Sequence, residues 1–177
     1  DAPVTTFDLT SSITNISTPF TIAVGFKKGD ITGTPTLDLN NYQVKVKRLW
    51  NDGSVKHAIF SGVYNSTADV TTTVTVSGSG DIPEGISLKE ADIVAAAPSA
   101  SVQLGSIGTV NLADLLGSPR RIWLQGPEMI EAHYQADVVA DTTLSVWFHV
   151  RFYADGALRI RTVVDNSSVD INDDDAV

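Results

Sequence analysis

The chain of 177 residues contains no cysteine. That absence excludes disulfides, thiolate metal sites and a cysteine nucleophile together. It suits assembly in a reducing cytoplasm and equally suits many secreted bacterial β-proteins, so the compartment stays open. Long hydrophobic runs are missing too: none approaches the roughly 20 apolar residues that span a bilayer. Positive charge is scarce, with 12 Lys and Arg against 21 Asp and Glu and a net charge of −9. Nucleic-acid binders carry the opposite balance or a basic stripe, and an anionic membrane repels such a chain, so neither is expected as a partner. No signal peptide opens the sequence, and Asp1 is compatible with the removal of one. There is no Gly-x-Ser-x-Gly elbow, no phosphate-binding loop and no dinucleotide fingerprint, and no catalytic residue or cofactor is predicted.

What is present is the composition of a β-protein. The chain is 42% apolar and rich in Thr, Ser, Val and Gly. Its most legible stretch runs from Tyr42 to Tyr64. Tyr42, Val44 and Val46 recur at every second position, and the alternation resumes at Val55, His57 and Ile59. A period of two marks one face of a strand. Between the runs, Asn51-Asp52-Gly53 is turn chemistry, since Asn and Asp hydrogen-bond their own backbone and Gly accepts positive φ. The spacing predicts a β-hairpin in which Trp50, Asp52, Gly53 and His57 are structural residues. The histidine reads as a hydrogen-bonded strand residue rather than a base.

Elsewhere, the first 20 residues read as a polar lead-in with one edge strand, Phe20 to Phe26 as a strand, and Val70 to Val76 as another. Ser87-x-x-Glu90 has the form of a capping box opening a short helix that Pro98 closes. Asn111 to Leu116, with Gly117 as its C-cap, is a second short helix candidate. Strands resume at Arg121 to Leu124 and Glu128 to Val139, and Thr143 to Tyr153 with Leu158 to Val164 form a second hairpin around Ala154-Asp155-Gly156. The fold class is all-β: a small barrel or sandwich over residues 1–86, a connector with short helices over 87–119, and an antiparallel sheet over 120–177.

The second hairpin supplies the candidate site. Leu144, Val146, Phe148, Val150 and Phe152 alternate as a core face. Trp147, His149, Arg151 and Tyr153 form the other face, with Arg159 and Arg161 on the partner strand. Aromatic rings stack on sugar faces and Arg offers forked donors to hydroxyls or carboxylates, so this face suits a glycan, an acidic one above all. Its competing role is to pack on the first β-part, with Arg stems covering the rings. Asp52, Asp155, Glu128 and Glu131 offer many carboxylate pairs with no reason to select one. His57, His133 and His149 have spacings without a metal signature. The acidic tail from Asp165 to Asp175 lacks the Gly and Glu of an EF-hand loop and reads as a solvated segment rather than a Ca²⁺ site.

The segment Leu49-Trp50-Asn51-Asp52-Gly53-Ser54-Val55-Lys56-His57-Ala58, with Pro19 to Asp30 before it, resembles the N-terminal β-barrel (RIFT-like) of exo-rhamnogalacturonan lyase-like proteins. Asn51 stands where that family has Pro. Similar segments occur in bacteriophage virion and tail-associated proteins. Arg151-Phe152-Tyr153-Ala154-Asp155-Gly156 is similar, more weakly, to the β-sandwich that follows the barrel. The resemblance covers Pro19 to Tyr64 and, more loosely, Arg121 to Asn166, and none of the lyases' large catalytic region. It implies barrel-plus-sandwich architecture in a carbohydrate context and carries over no catalytic residue. The expectation is a non-catalytic structural and glycan-recognition module of a larger surface or phage virion protein, such as a spike or fibre, located in a virion or at the cell surface. Its partners would be carbohydrate or protein subunits, including copies of itself. The alternative is an accessory or N-terminal part of a polysaccharide-degrading enzyme.

Overall fold

The structure, a computed structural model, describes residues 3–78, 80–138 and 143–166. It is built mostly of antiparallel strands and falls into two units. The first comprises residues up to Leu88 together with Leu124–Met129 and Tyr153–Ala157. The second comprises Lys89–Trp123, Ile130–Phe152 and the chain from Leu158 onward. The all-β class is as predicted, but the division is not the serial one: from Lys89 the expected connector is part of the second unit.

In the first unit, β1 (Pro3–Thr10), β6 (Thr71–Ser77) and the short β3 (Thr36–Leu37) form one sheet in the order β1-β6-β3. A second sheet has the order β2-β5-β4, from β2 (Asn15–Gly25), β4 (Tyr42–Leu49) and β5 (Val55–Ser66). Both contribute to one apolar core that includes Phe20, Tyr42, Phe60, Val74 and Val76. The alternation in β4 and β6 is what sends these side chains inward. Gly62 sits where β4 runs past β5, and an added Cβ would collide with the Asn41 carbonyl oxygen, so no other residue fits. Gln43 is buried and bonded at both ends of its amide: its Nε2 donates to the Met129 carbonyl at 2.8 Å, and its Oε1 accepts from the Glu128 and Met129 amides at 2.9 and 2.8 Å. A buried amide needs such partners to be tolerated.

The predicted hairpin joins β4 to β5. The Trp50 amide donates to the Ser54 carbonyl at 2.8 Å and the Gly53 amide to the Trp50 carbonyl at 3.0 Å, with Gly53 at φ 85°. Asp52 Oδ1 accepts from the Ser54 amide at 3.1 Å and from its hydroxyl at 2.6 Å, which holds the carboxyl below its usual range. Trp50 Nε1 donates to the Phe26 carbonyl at 3.1 Å, and Lys56 Nζ lies 4.4 Å over the Trp50 ring. His57 is half-buried on β5 opposite Gly25 and Arg48. Trp50, Asp52 and Gly53 thus close the turn between β4 and β5.

The second unit opens with α1 (Glu90–Ala96), followed by the two-stranded β7 (Ser101–Gln103) and β8 (Thr109–Asn111). The helix begins two residues later than the Ser87 box predicts, with Lys89 as its N-cap. Its cap is made by Asp92 Oδ2, which accepts from the Lys89 amide at 2.6 Å. The second predicted helix is a single 3₁₀ turn, Leu112–Asp114, too short to continue before Gly117 at φ 88°. Glu90 ties the two together by accepting from the Gly117 amide at 2.9 Å and the Tyr134 hydroxyl at 3.0 Å.

Four strands make the main sheet, in the order β12-β11-β10-β9: β9 (Arg121–Gln125), β10 (Met129–Asp137), β11 (Ser145–Tyr153) and β12 (Leu158–Asp165). The β11–β12 register pairs Trp147 with Val163, His149 with Arg161 and Arg151 with Arg159. Val146, Phe148 and Val150 are fully buried, as the alternation predicts, while Leu144 and Phe152 are half-buried. Val139 and the acidic tail from residue 167 lie outside the described residues.

Candidate functional site

Alternation puts the polar residues of all four strands on one side of the main sheet. On that side lies a pocket of about 340 Å³, lined within the second unit by Arg121, Trp123, Glu131, His133, His149, Arg151, Arg159 and Arg161. Four of the chain's six arginines line this one pocket. In a chain of net charge −9 that concentration is a local reversal of sign.

Two rows organise the pocket. In the first, three rings from adjacent strands stack: Trp123 and His133 have centroids 5.9 Å apart at 18°, and His133 and His149 are 3.8 Å apart at 10°. In the second, Glu131, Arg151 and Arg159 follow one another across β10, β11 and β12, with Arg151 Nε donating to Glu131 Oε2 at 2.6 Å. Glu131 and His133 are each 3% exposed, an unusual depth for a carboxylate and an imidazole, and each is satisfied by partners. His133 is bound on both sides: Nε2 meets Glu131 Oε1 at 2.7 Å, and Nδ1 accepts from Arg121 Nε at 2.9 Å. An acceptor Nδ1 requires the proton on Nε2, so the ring is the neutral tautomer that donates to Glu131.

Burial alone would raise the Glu131 carboxyl. The hydrogen bond from His133 and the charge of and bond from Arg151 outweigh it and hold the group below the ordinary carboxylate range. Burial first, and with it the guanidiniums of Arg161 and Arg121, hold the His149 imidazole below its ordinary value, against an opposite pull from Glu131. His149 is therefore neutral at pH 7.

Glu131, His133 and His149 offer ligand atoms within 4.8 Å of one another, a grouping that the sequence spacing did not signal. Their chemistry is that of an anion site nonetheless. Both nitrogens of His133 are engaged, the two imidazoles lie parallel so that their lone pairs do not converge, and four guanidiniums line the pocket against a single carboxylate. A cation would enter against that charge, whereas a carboxylate or sulfate would be met by forked donors.

Of the residues singled out on the second hairpin, His149, Arg151, Arg159 and Arg161 line the pocket. Trp147 is half-buried beside them, its ring edge-on to His149 at 6.4 Å. Tyr153 is not on the open face. It is 3% exposed, packs with Leu124 and Met129, and exchanges a hydrogen bond with Thr21 Oγ1 at 2.8 Å. At the hairpin end this ring finds apolar cover, and that overrides the period-two assignment. Arg121, Trp123, Glu131 and His133 complete the pocket without having been selected from the sequence. A signal for them exists: Arg121-x-Trp123 and Glu131-x-His133 repeat the spacing of His149-x-Arg151 and Arg159-x-Arg161. His57 lies on β5, in the first unit, and is not among these residues.

Compared with known proteins, the chain matches no family model, no curated sequence and no solved structure.

Proposed function

We propose that the open face of the main sheet recognises an acidic glycan, and that the chain is a non-catalytic structural and recognition module of a larger surface or virion protein such as a phage spike or fibre. The observation that carries this reading is the gathering of Arg121, Arg151, Arg159 and Arg161 in one pocket of an otherwise acidic protein. Two of the four are held in place from within: Arg121 and Arg151 each commit Nε to a neighbour, which leaves their terminal nitrogens for a ligand. Arg159 and Arg161 stand exposed on β12. Pre-oriented forks bind planar acids at a lower entropic cost than mobile ones. Trp147, on the same face, offers a ring for the apolar side of a sugar. Two three-stranded sheets around one core in the first unit support the small barrel that the resemblance implies. Titration with uronate-bearing, sulfated and neutral oligosaccharides tests the reading. Binding confined to the acidic sugars supports it, and equal binding of neutral ones refutes it.

One observation favours the second reading, part of a polysaccharide-degrading enzyme. The neutral imidazole of His149 sits beside guanidiniums that would hold an acid group, the arrangement a base needs next to an acidified carbon–hydrogen bond. Incubation with a uronate polymer distinguishes the two: growth of ultraviolet absorbance from unsaturated products marks the enzyme, and an unchanged polymer that stays bound marks the recognition module.

A further inference from the structure

The titratable groups of the pocket are not equally free to change charge. Glu131 is buried between His133 and Arg151 and bonded to both. His133 can take a second ring proton only by giving up the bond it accepts from Arg121 at 2.9 Å. His149 differs from both. It is half-exposed, it stacks face to face on the neutral His133 ring at 3.8 Å, and among the described residues no side-chain hydrogen bond holds either of its ring nitrogens. The groups that face it are Arg121 from β9, Glu131 and His133 from β10, Arg151 on its own strand, and Arg159 and Arg161 from β12, Arg161 being its direct cross-strand partner. Asp165 lies further along β12, opposite Ser145.

With the pocket open, a proton on His149 adds a positive charge to four guanidiniums and is disfavoured. With an anion seated among those guanidiniums, the same proton gains a counter-charge and a donor. We propose that His149 takes up a proton as an anionic ligand enters the arginine pocket, so that the pocket holds its ligand more tightly as the pH falls. The inference rests on the acidic-ligand reading and adds its regulation. Linkage makes the effect reciprocal: the ligand raises the affinity of His149 for a proton by the factor by which the proton raises the affinity for the ligand.

The test is calorimetric titration of the full chain with two probes whose own charge is constant across the range, inorganic sulfate and a galacturonate oligomer, at about pH 5.5 and about pH 7.5. Binding is expected to be about tenfold tighter at the lower pH. Repeating the titration in buffers of different ionisation enthalpy is expected to show uptake of about one proton per ligand. His149→Gln should flatten the pH dependence. A nuclear magnetic resonance titration of the His149 ring in the wild-type chain, with and without sulfate, gives a readout independent of any variant: its midpoint is expected to rise when the probe is present. Binding that is equally tight at both pH values, without proton uptake, overturns the inference and leaves the recognition reading standing. Failure of both probes to bind at either pH overturns the two together.

Discussion

Strands β5 and β10 each run through the interior of their sheet, and they handle burial in opposite ways. On β5 the core is made by Val55, Ala58, Phe60 and Tyr64, whose depth apolar packing accounts for, and the buried polar side chains are the uncharged hydroxyls of Ser61 and Ser66. On β10 every residue from Met129 to Tyr134 is buried, and two of the six are Glu131 and His133. Desolvating a carboxylate costs several kcal/mol, which its partners return only with good geometry, and an apolar side chain would hold a strand as well. Where a fold retains such a group beside a basic pocket, function is the better account of it. The turns teach the complementary lesson. The hairpin at Tyr153–Ala157 repeats the bonds of the one at Trp50–Ser54: the Tyr153 amide donates to the Ala157 carbonyl at 3.0 Å, the Gly156 amide to the Tyr153 carbonyl at 2.9 Å, and Asp155 Oδ1 accepts from the Ala157 amide at 2.9 Å. Shared turns make hairpins, and the residues facing outward from their strands give each one its use.

The largest expected effect breaks the contrast between the two strands. Glu131→Ala leaves His133 and Arg151 without their acceptor and should cost about 3–5 kcal/mol in denaturant unfolding. Phe60→Ala on β5 should cost a similar amount through its cavity alone. The two mechanisms separate when the polar group is removed whole. A Glu131→Met/His133→Leu/Arg151→Met variant should fold within about 1 kcal/mol of wild type or better, since apolar replacement of buried ion pairs is commonly neutral or stabilising. If that variant is as unstable as Glu131→Ala, then the polar row on β10 is structural and the contrast fails.

Stability should also depend on pH through this site. Glu131 titrates below its unfolded value, so its contribution is present above the unfolded value and is lost as the pH falls through the folded one. His149 is likewise held low, so the unfolded chain takes the proton first and stability begins to decline as the pH drops below about 6.5. Thermal unfolding across an acid series in the absence of ligand checks the direction. The smallest effect concerns the turns. Gly53 and Gly156 have φ of 85° and 88°, so Ala at either should cost about 1 kcal/mol, and the two costs should match if the turns are equivalent.

Both hairpins were legible in the sequence because their determinants are local: an Asp-Gly turn between runs of period two. The core of β11 was legible for the same reason. The helices were less so, since the Ser87 box competes with a cap two residues on, formed by Lys89 and Asp92. The pocket was half legible. Trp147, His149, Arg151, Arg159 and Arg161 share one hairpin, and one alternation orders them. Arg121, Trp123, Glu131 and His133 join them only through strand pairings between separate segments, which no local pattern encodes. Parity also misplaced Tyr153, because alternation sets the direction of a side chain and not what covers it.

The central claim is that the arginine pocket selects an acidic glycan. It is tested most directly by presenting a panel of uronate-bearing, sulfated and neutral glycans to the wild-type chain and to an Arg159→Ala/Arg161→Ala variant. Both substitutions fall on exposed residues, so the fold should survive them. The account predicts binding to acidic glycans alone and a loss of about tenfold or more in the variant. Undiminished binding by the variant, or a preference for neutral sugars, would contradict it.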